Sequence, residues 1–433
     1  MDYKRQKEAL VNYYRHSEKN PADFKIGVEL EHFIVEKESL RAISYYEDNG
    51  IKDILRYLLN KGWQGHYEDG YLLALERNGS TVTLEPGGQF ELSMKPLLSL
   101  EMMEQEYLTF LHEVVPFLDE HGLAMVTLGY QPESSIKDIP FIPKKRYQFM
   151  ADHFRDKGKY AYNMMRGTAS IHLCFDYASE EDCKRKFRLA NALTTVMAAL
   201  FDNAPFFEGN LNPNYCQRVA IWSNCDDARC GVVPGSLDGD FGYNEYAEYL
   251  LNTPVIFLIE GDTFHYTKEK PLKDVFDCQR FSLPELEHVL TMVFPDVRLK
   301  KYIEVRMTDA VPYPLNFSVI GLWKGLLYNE ANFKKASELV SAVTNEDIIQ
   351  SKKECLTYGL NATLRGQKLY ELAKEVVALA EHGLEEKEKS YLKPLQSLIR
   401  KGESPAKLSK EKIHLGKKEA LSWCILNNLV SRD

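Results

Sequence analysis

From Lys25 to Glu36 polar and apolar positions alternate with a period of two. Ile26, Val28 and Leu30 fall on one parity and Glu29, Glu31 and Phe33 on the other, which predicts a strand carrying two acids on one face. A helical opening segment precedes it. Ile51 to Lys61 has the apolar spacing of an amphipathic helix, and the polar, aromatic and glycine-bearing stretch running on to Asn78-Gly79-Ser80 predicts a hairpin and turn. Leu100 to Gly122 reads as a helix and Leu123 to Tyr130 as a short buried strand. Thr168 to Phe175 alternates again, and Ser179-Glu180-Glu181-Asp182 caps one long helix expected to run through Val196 to about Phe201. A further strand pattern occupies Lys301 to Met307. Beyond about residue 330 the chain reads as helical, most clearly from Tyr370 to Ala380, with a stop near Gly383.

No linker forces a split of the 433 residues, so one catalytic unit is expected: a core over residues 1–330 and a helical segment over 331–433 packed on it. Hydrophobic residues at 44% and charged residues at 27% describe an ordinary globular chain. The formal net charge of -9 argues against nucleic acid as a partner, because phosphate backbones are bound by basic surfaces. No apolar run approaches the ~18 residues of a membrane span, and the opening Met1-Asp2-Tyr3-Lys4-Arg5 lacks the apolar core of a signal peptide, so no membrane association and a cytoplasmic location are expected. The eight cysteines read as free thiols, and Cys225 with Cys230 lacks the second ligand pair that zinc would want.

Candidate chemistry changes the picture most at Glu85-Pro86-Gly87-Gly88-Gln89-Phe90-Glu91, where two carboxylates flank a turn that needs glycine dihedrals. Glu is almost never fully buried unless paired or bound to a metal. Parity adds Glu29 with Glu31, His172 opposite Ile171 and Leu173, and Glu304 with Arg306 opposite Ile303 and Val305. Singly, each has an ordinary reading: a solvated strand face, a satisfied core histidine, a surface ion pair. Together, five carboxylates and one imidazole on apolar strands make the inventory of a multi-magnesium nucleotide site, since Mg²⁺ takes oxygen ligands and keeps positions for phosphates. Arg146, Arg166, Arg218 and Arg229, the last two flanking Trp222, could grip a substrate carboxylate bidentately.

These segments resemble the plant-type glutamate-cysteine ligase family, also found in bacteria. The resemblance covers nearly the whole chain and rests on Ile26-Gly27-Val28-Glu29-Leu30-Glu31, Leu84 to Ser93, Ile142 to Tyr147, Arg166-Gly167-Thr168, Ala204-Pro205-Phe206, Ile221-Trp222-Ser223, Phe294 to Arg298 and Tyr302 to Arg306. It implies an α+β, glutamine synthetase-like fold, with a curved, largely antiparallel sheet forming an active-site funnel surrounded by helices. It further implies that Glu31, Glu85 and Glu91 hold one Mg²⁺, that Glu29, His172 and Glu304 hold another, and that Arg306 contacts the transferred phosphoryl group. After Trp222, Asn224-Cys225-Asp226-Asp227 departs from the family pattern, while Arg229 and Gly231 keep it.

The activity so implied is ATP-dependent joining of the glutamate side-chain carboxylate to cysteine through a γ-glutamyl phosphate, with ATP and two or more Mg²⁺ as co-substrate and cofactor. Ligation of glutamate to another amine and, further off, phosphotransfer on the same scaffold are the alternatives. A non-enzymatic regulatory role is disfavoured, because none of the metal acids is lost.

Overall fold

Nine strands hydrogen-bond into a single open sheet: β1 Ile26–Glu36, β2 Gln64–Glu68, β3 Tyr71–Arg77, β4 Ser80–Leu84, β5 Phe90–Leu97, β6 Leu123–Val126, β7 Ser170–Phe175, β8 Val297–Leu299 and β9 Ile303–Asp309. The computed structural model describes residues 2–261 and 263–430. Strand order is β8-β9-β7-β1-β5-β4-β3-β2, every pairing is antiparallel, and β6 adds to the far end of β1 beside Phe33 to Glu36. This is the sheet of the expected α+β, glutamine synthetase-like class. β1 lies centrally because it is apolar on one parity over its first half and on both parities after His32, so its second half is buried whichever way a side chain points.

Helices cover the apolar face. Leu100–Glu120 buries Leu100, Met103, Tyr107, Phe110, Leu111, Val114 and Leu118, a stripe at helical spacing that packs on β5 and β6. Leu315–Leu327 is apolar on nearly every side and therefore sits inside, against Leu369–Gly383, Leu100–Glu120 and β7. Its contact with Leu369–Gly383 is backbone-close at Gly325, where a Cβ would stand 2.1 Å from the Ala380 carbonyl oxygen. His32 pins sheet to helix from this face: Nδ1 lies 3.0 Å from the Phe90 carbonyl oxygen and Nε2 3.1 Å from the Tyr107 hydroxyl. Burial holds this imidazole down to about 4.

Most expected elements appear within a few residues of their sequence bounds, but the strand read to Tyr130 ends at Val126, a short hairpin of Thr363–Leu364 and Gln367–Lys368 interrupts the helices after residue 330, and one helix is broken. The helix capped by Ser179, whose hydroxyl accepts from the Asp182 N–H at 3.2 Å, stops at Ala192 and restarts as Thr194–Leu200. At the break, Asn191 and Thr194 hydrogen-bond back to the Phe187 and Ala190 carbonyls and compete with the backbone ladder. All eight cysteines are unpaired.

A buried ion pair ties the helices after residue 330 to the rest of the fold. Lys324 Nζ lies 2.7 and 2.8 Å from the two carboxylate oxygens of Glu388 and 2.8 Å from the Leu98 carbonyl oxygen. Glu388→Gln strands a buried ammonium and should lower the unfolding free energy by about 3 kcal/mol in urea titrations, whereas a loss below about 1 kcal/mol would mean that water already screens the pair.

Candidate active site

Register converts sequence parity into one chemical surface. β1 and β5 put Glu31 directly opposite Glu91; β1 and β7 put Glu29 opposite His172; β7 and β9 put Cys174 opposite Glu304. Directly opposed residues of antiparallel strands point to the same side, so Glu29, Glu31, Glu91, Ser170, His172, Cys174, Glu304 and Arg306 share a face, while Leu30, Ile171, Leu173 and Val305 turn to the core. Glu85 joins them from the β4–β5 turn, closed by Gly88 N–H on the Glu85 carbonyl at 2.8 Å. Gly88 stands at φ +87°, and a Cβ on Gly87 would lie 2.6 Å from the Arg166 carbonyl oxygen, so both glycines are required. Gln89 fixes the turn to the next layer by donating to the Met165 and Thr168 carbonyls at 3.2 and 2.9 Å.

Glu29, Glu31, Glu85, Glu91 and His172 line a cavity of about 210 Å³ together with Arg146, Trp222, Arg298 and Arg306. Burial, and then the charge of Glu85, pushes Glu31 up to about 8, even though the Ser170 N–H and hydroxyl reach it at 2.8 and 3.1 Å. Burial and the charges of Glu29, Glu85 and Glu31 hold Glu91 well above the carboxylate range despite hydroxyls of Thr83 and Ser93 at 2.9 and 2.8 Å. A divalent cation relieves this repulsion, and an all-oxygen donor set suits Mg²⁺. Among the described residues Glu31, Glu85 and Glu91 do not bring one donor atom each within 4.8 Å of the other two, so they line the cavity without closing on a point.

The second expected set, Glu29, His172 and Glu304, is arranged otherwise. Burial opposes ionisation of Glu29, but the His172 hydrogen bond, Nδ1 to Oε2 at 3.1 Å, keeps it below its ordinary value. Burial and then Arg306 push His172 down to about 4, and its Nε2 lies 2.9 Å from Ser170 Oγ, so both ring nitrogens are engaged. Glu304 is fully buried and does not line the cavity; Arg298 grips it with Nε at 2.6 Å and Nη2 at 3.0 Å, and Arg306 Nη1 adds a contact at 3.1 Å. Burial opposes its charge, yet Arg298, Lys300 and Arg306 hold it well below the ordinary range. The donor atoms that do gather within 4.8 Å belong to Glu29, Cys174 and Glu304. Cys174 was detectable by parity, two residues beyond His172. Arg298 was not, because nothing local marks it as the cross-strand partner of Glu304.

The four arginines and the tryptophan expected to grip a substrate carboxylate are placed unevenly. Arg146 and Trp222 line the cavity, and Trp222 packs on Phe294 at a ring separation of 6.1 Å. Arg218 lies in the adjoining cavity with Trp222 and Arg306, donating to the Arg306 carbonyl at 2.8 Å and standing 3.8 Å from Asp309. Arg166 and Arg229 stand outside the cavity lining, contrary to the sequence expectation. Arg166 stacks on Phe141 and Tyr162, 4.6 and 5.2 Å from the ring centres, and donates to the Ile139 carbonyl at 2.8 Å. Arg229 is almost wholly buried, bonded through Nε to Asp226 at 2.7 Å and through Nη1 to the Met292 carbonyl at 2.9 Å, and so serves the packing of its loop.

The Glutamate-cysteine ligase family 2 (GCS2) matches residues 25–421. Glutamate-cysteine ligase B, chloroplastic, of Oryza sativa subsp. japonica is 32% identical over 411 residues, covering 92% of this chain and 82% of that protein. The chloroplastic glutamate-cysteine ligase of Nicotiana tabacum is 32% identical over 419 residues, covering 94% and 80%. Among solved structures, the glutamate-cysteine ligase of Francisella tularensis in complex with AMP superposes with a TM-score of 0.53 at 14% identity, over 94% of this chain and 88% of that one, a likeness of fold. Among the described residues no helix is long and apolar enough to cross a membrane.

The Arg229 cluster yields a pH prediction. Burial would raise Asp226, but the hydrogen bond from His153 and the Arg229 charge hold it below the ordinary carboxylate value of 3.8. The unfolded chain therefore binds more protons than the folded one below that value, and this contribution to stability is present above it and lost as pH falls. Asp226→Asn should cost about 3 kcal/mol at pH 7, and the gap to wild type should narrow as urea titrations move below pH 4. A gap independent of pH would contradict the charge argument.

Proposed function

The chain belongs to the glutamate-cysteine ligase family 2, and from that premise we propose that it joins the γ-carboxylate of L-glutamate to the amine of L-cysteine at the expense of ATP. The observation that carries the reading is the single cavity lined both by Glu29, Glu31, Glu85 and Glu91 and by Arg298 and Arg306. Carboxylates and guanidinium groups around one cavity are what a polyphosphate with its cations requires.

In the first step a γ-carboxylate oxygen of glutamate takes the terminal phosphoryl group of ATP, giving ADP and an acyl phosphate. In the second, the cysteine amine attacks the acyl carbon, and phosphate departs as the amide forms. Bound Mg²⁺, two ions or more, supplies charge neutralisation to the phosphates; Glu31, Glu85 and Glu91 would hold one ion and Glu29, with His172 and Glu304, another. Arg306 faces the transferred group and offsets its charge. Arg146, Trp222 and Arg218 orient the amino acids, and the buried wall excludes water that would hydrolyse the acyl phosphate. No protein nucleophile takes part. Glutathione-type thiol synthesis is the purpose this product serves, in a cytoplasmic setting, from one catalytic unit with its helical segment after residue 330.

The test is Mg²⁺-dependent ADP release with glutamate plus cysteine, beside glutamate plus other amines, with mass spectrometry of the product. γ-Glutamylcysteine should form only with cysteine; ADP release with another amine alone would move the chain to a different acceptor. Glu91→Gln should lower turnover by at least about 10²-fold. Without Mg²⁺ its melting temperature should match or exceed wild type, because a repelled carboxylate is gone, and the rise produced by Mg²⁺ should shrink. Wild-type turnover in this variant would remove Glu91 from the site.

A further inference from the structure

Positive charge crowds around Glu304 beyond what one carboxylate needs. Arg298 holds both of its oxygens, Arg306 one of them, and Lys300 Nζ stands 3.9 Å away. On the adjacent strands β1 and β5 carboxylates predominate: Glu29, Glu31 and Glu91, with Glu85 from the turn, repel one another, and Arg218 and Arg306 offset the charge at Glu31 only in part. Arg298 and Arg306 line the cavity whereas Glu304 does not, so the carboxylate borders that space through the arginines that hold it. The Arg298 backbone is fixed by the β8–β9 pairing directly opposite Glu304.

We propose that Arg298 is the exchangeable counter-ion of Glu304: a divalent cation entering beside Glu29 takes the carboxylate from it, and the freed guanidinium fork turns to the phosphates of ATP. Glu29 and Glu304 already hold donor atoms within 4.8 Å of one another, beside Cys174, so a cation there displaces Arg298 and also meets the Arg306 contact on Glu304 and the His172 bond on Glu29. The exchange balances charge: a cation replaces a guanidinium at the carboxylate, and the guanidinium finds an anion a few ångströms away. A guanidinium matches a phosphate bidentately as well as it matches a carboxylate, so one side chain suits both partners. The inference rests on the reading of Glu304 as a cation ligand.

The experiment uses Mn²⁺ alone, titrated into the full-length protein without nucleotide and followed by electron paramagnetic resonance, for wild type, Arg298→Gln, Arg298→Lys and Glu304→Gln. Removing the competitor in Arg298→Gln should tighten one Mn²⁺ site by at least about tenfold, the worth of a charge-assisted hydrogen bond no longer broken. In steady state the same variant should raise KM for ATP far more than KM for either amino acid. A side chain that merely props Glu304 in place predicts the opposite sign, weaker Mn²⁺ binding, and an unchanged or weakened site overturns the proposal. Should Arg298→Gln not fold by circular dichroism, Arg298→Lys, which keeps the charge and removes the fork, should tighten the site in the same direction, and failure to do so counts equally against it. Glu304→Gln should lose one Mn²⁺; if it keeps both, the ligand reading of Glu304 falls, which is a separate failure from that of Arg298.

Discussion

Carboxylates held out of water on one face of a sheet repel one another, and most other arrangements in the molecule answer to that constraint. An isolated buried carboxylate is so costly that it takes up a proton or finds a partner. Here the groups divide. Glu31 and Glu91 lean toward protonation, Glu29 is held charged by His172, and Glu304 is held charged by Arg298 and Arg306. Apolar side chains of similar volume would stabilise the same sheet better. A fold that keeps this face therefore keeps it for ligands, and the hydroxyls of Thr83, Ser93 and Ser170 reduce the repulsion only in part.

Rigidity of the support makes such a face tolerable. The reverse side of the same strands is Leu30, Ile171, Leu173 and Val305, backed by a helix apolar almost all round and by another tied through His32. Side chains on strands packed this way lack room to drift apart, so the repelling groups stay within reach of one another. The β4–β5 turn is held equally firmly, by Gln89 to two carbonyls and by Gly87 against Arg166. The Arg166 stretch thus contributes through its backbone, although its side chain stands outside the cavity.

Much of this was legible in the sequence because strand parity is a local property. The period of two in Lys25 to Glu36, Thr168 to Phe175 and Lys301 to Met307 marks the functional face residue by residue, and the paired glycines mark the turn. Partner choice is not local. Nothing near Glu304 says that Arg298 will lie opposite it, or that Cys174 will be its other neighbour across β7 and β9. Arginines flanking a tryptophan look alike in sequence, which is why Arg218, in the cavity beside Trp222, and Arg229, bonded to Asp226, separate only in three dimensions. The break at Leu193 is a contest between side-chain and backbone hydrogen bonds that a smooth apolar period conceals.

The strand order also sets a timetable. β1 leaves the ribosome early with Glu29 and Glu31, yet one of its neighbours, β7, lies near residue 170 and the strand beyond, β9, near residue 303. At ordinary elongation rates the interval between those two strands lasts on the order of ten seconds. Throughout it β1 can hold β5 and β7, but β7 lacks its outer neighbour, and Glu304 with its arginines does not yet exist to balance the charge. The acidic face is therefore assembled from parts distant in the sequence, and β7 stands as an open edge until β9 pairs with it.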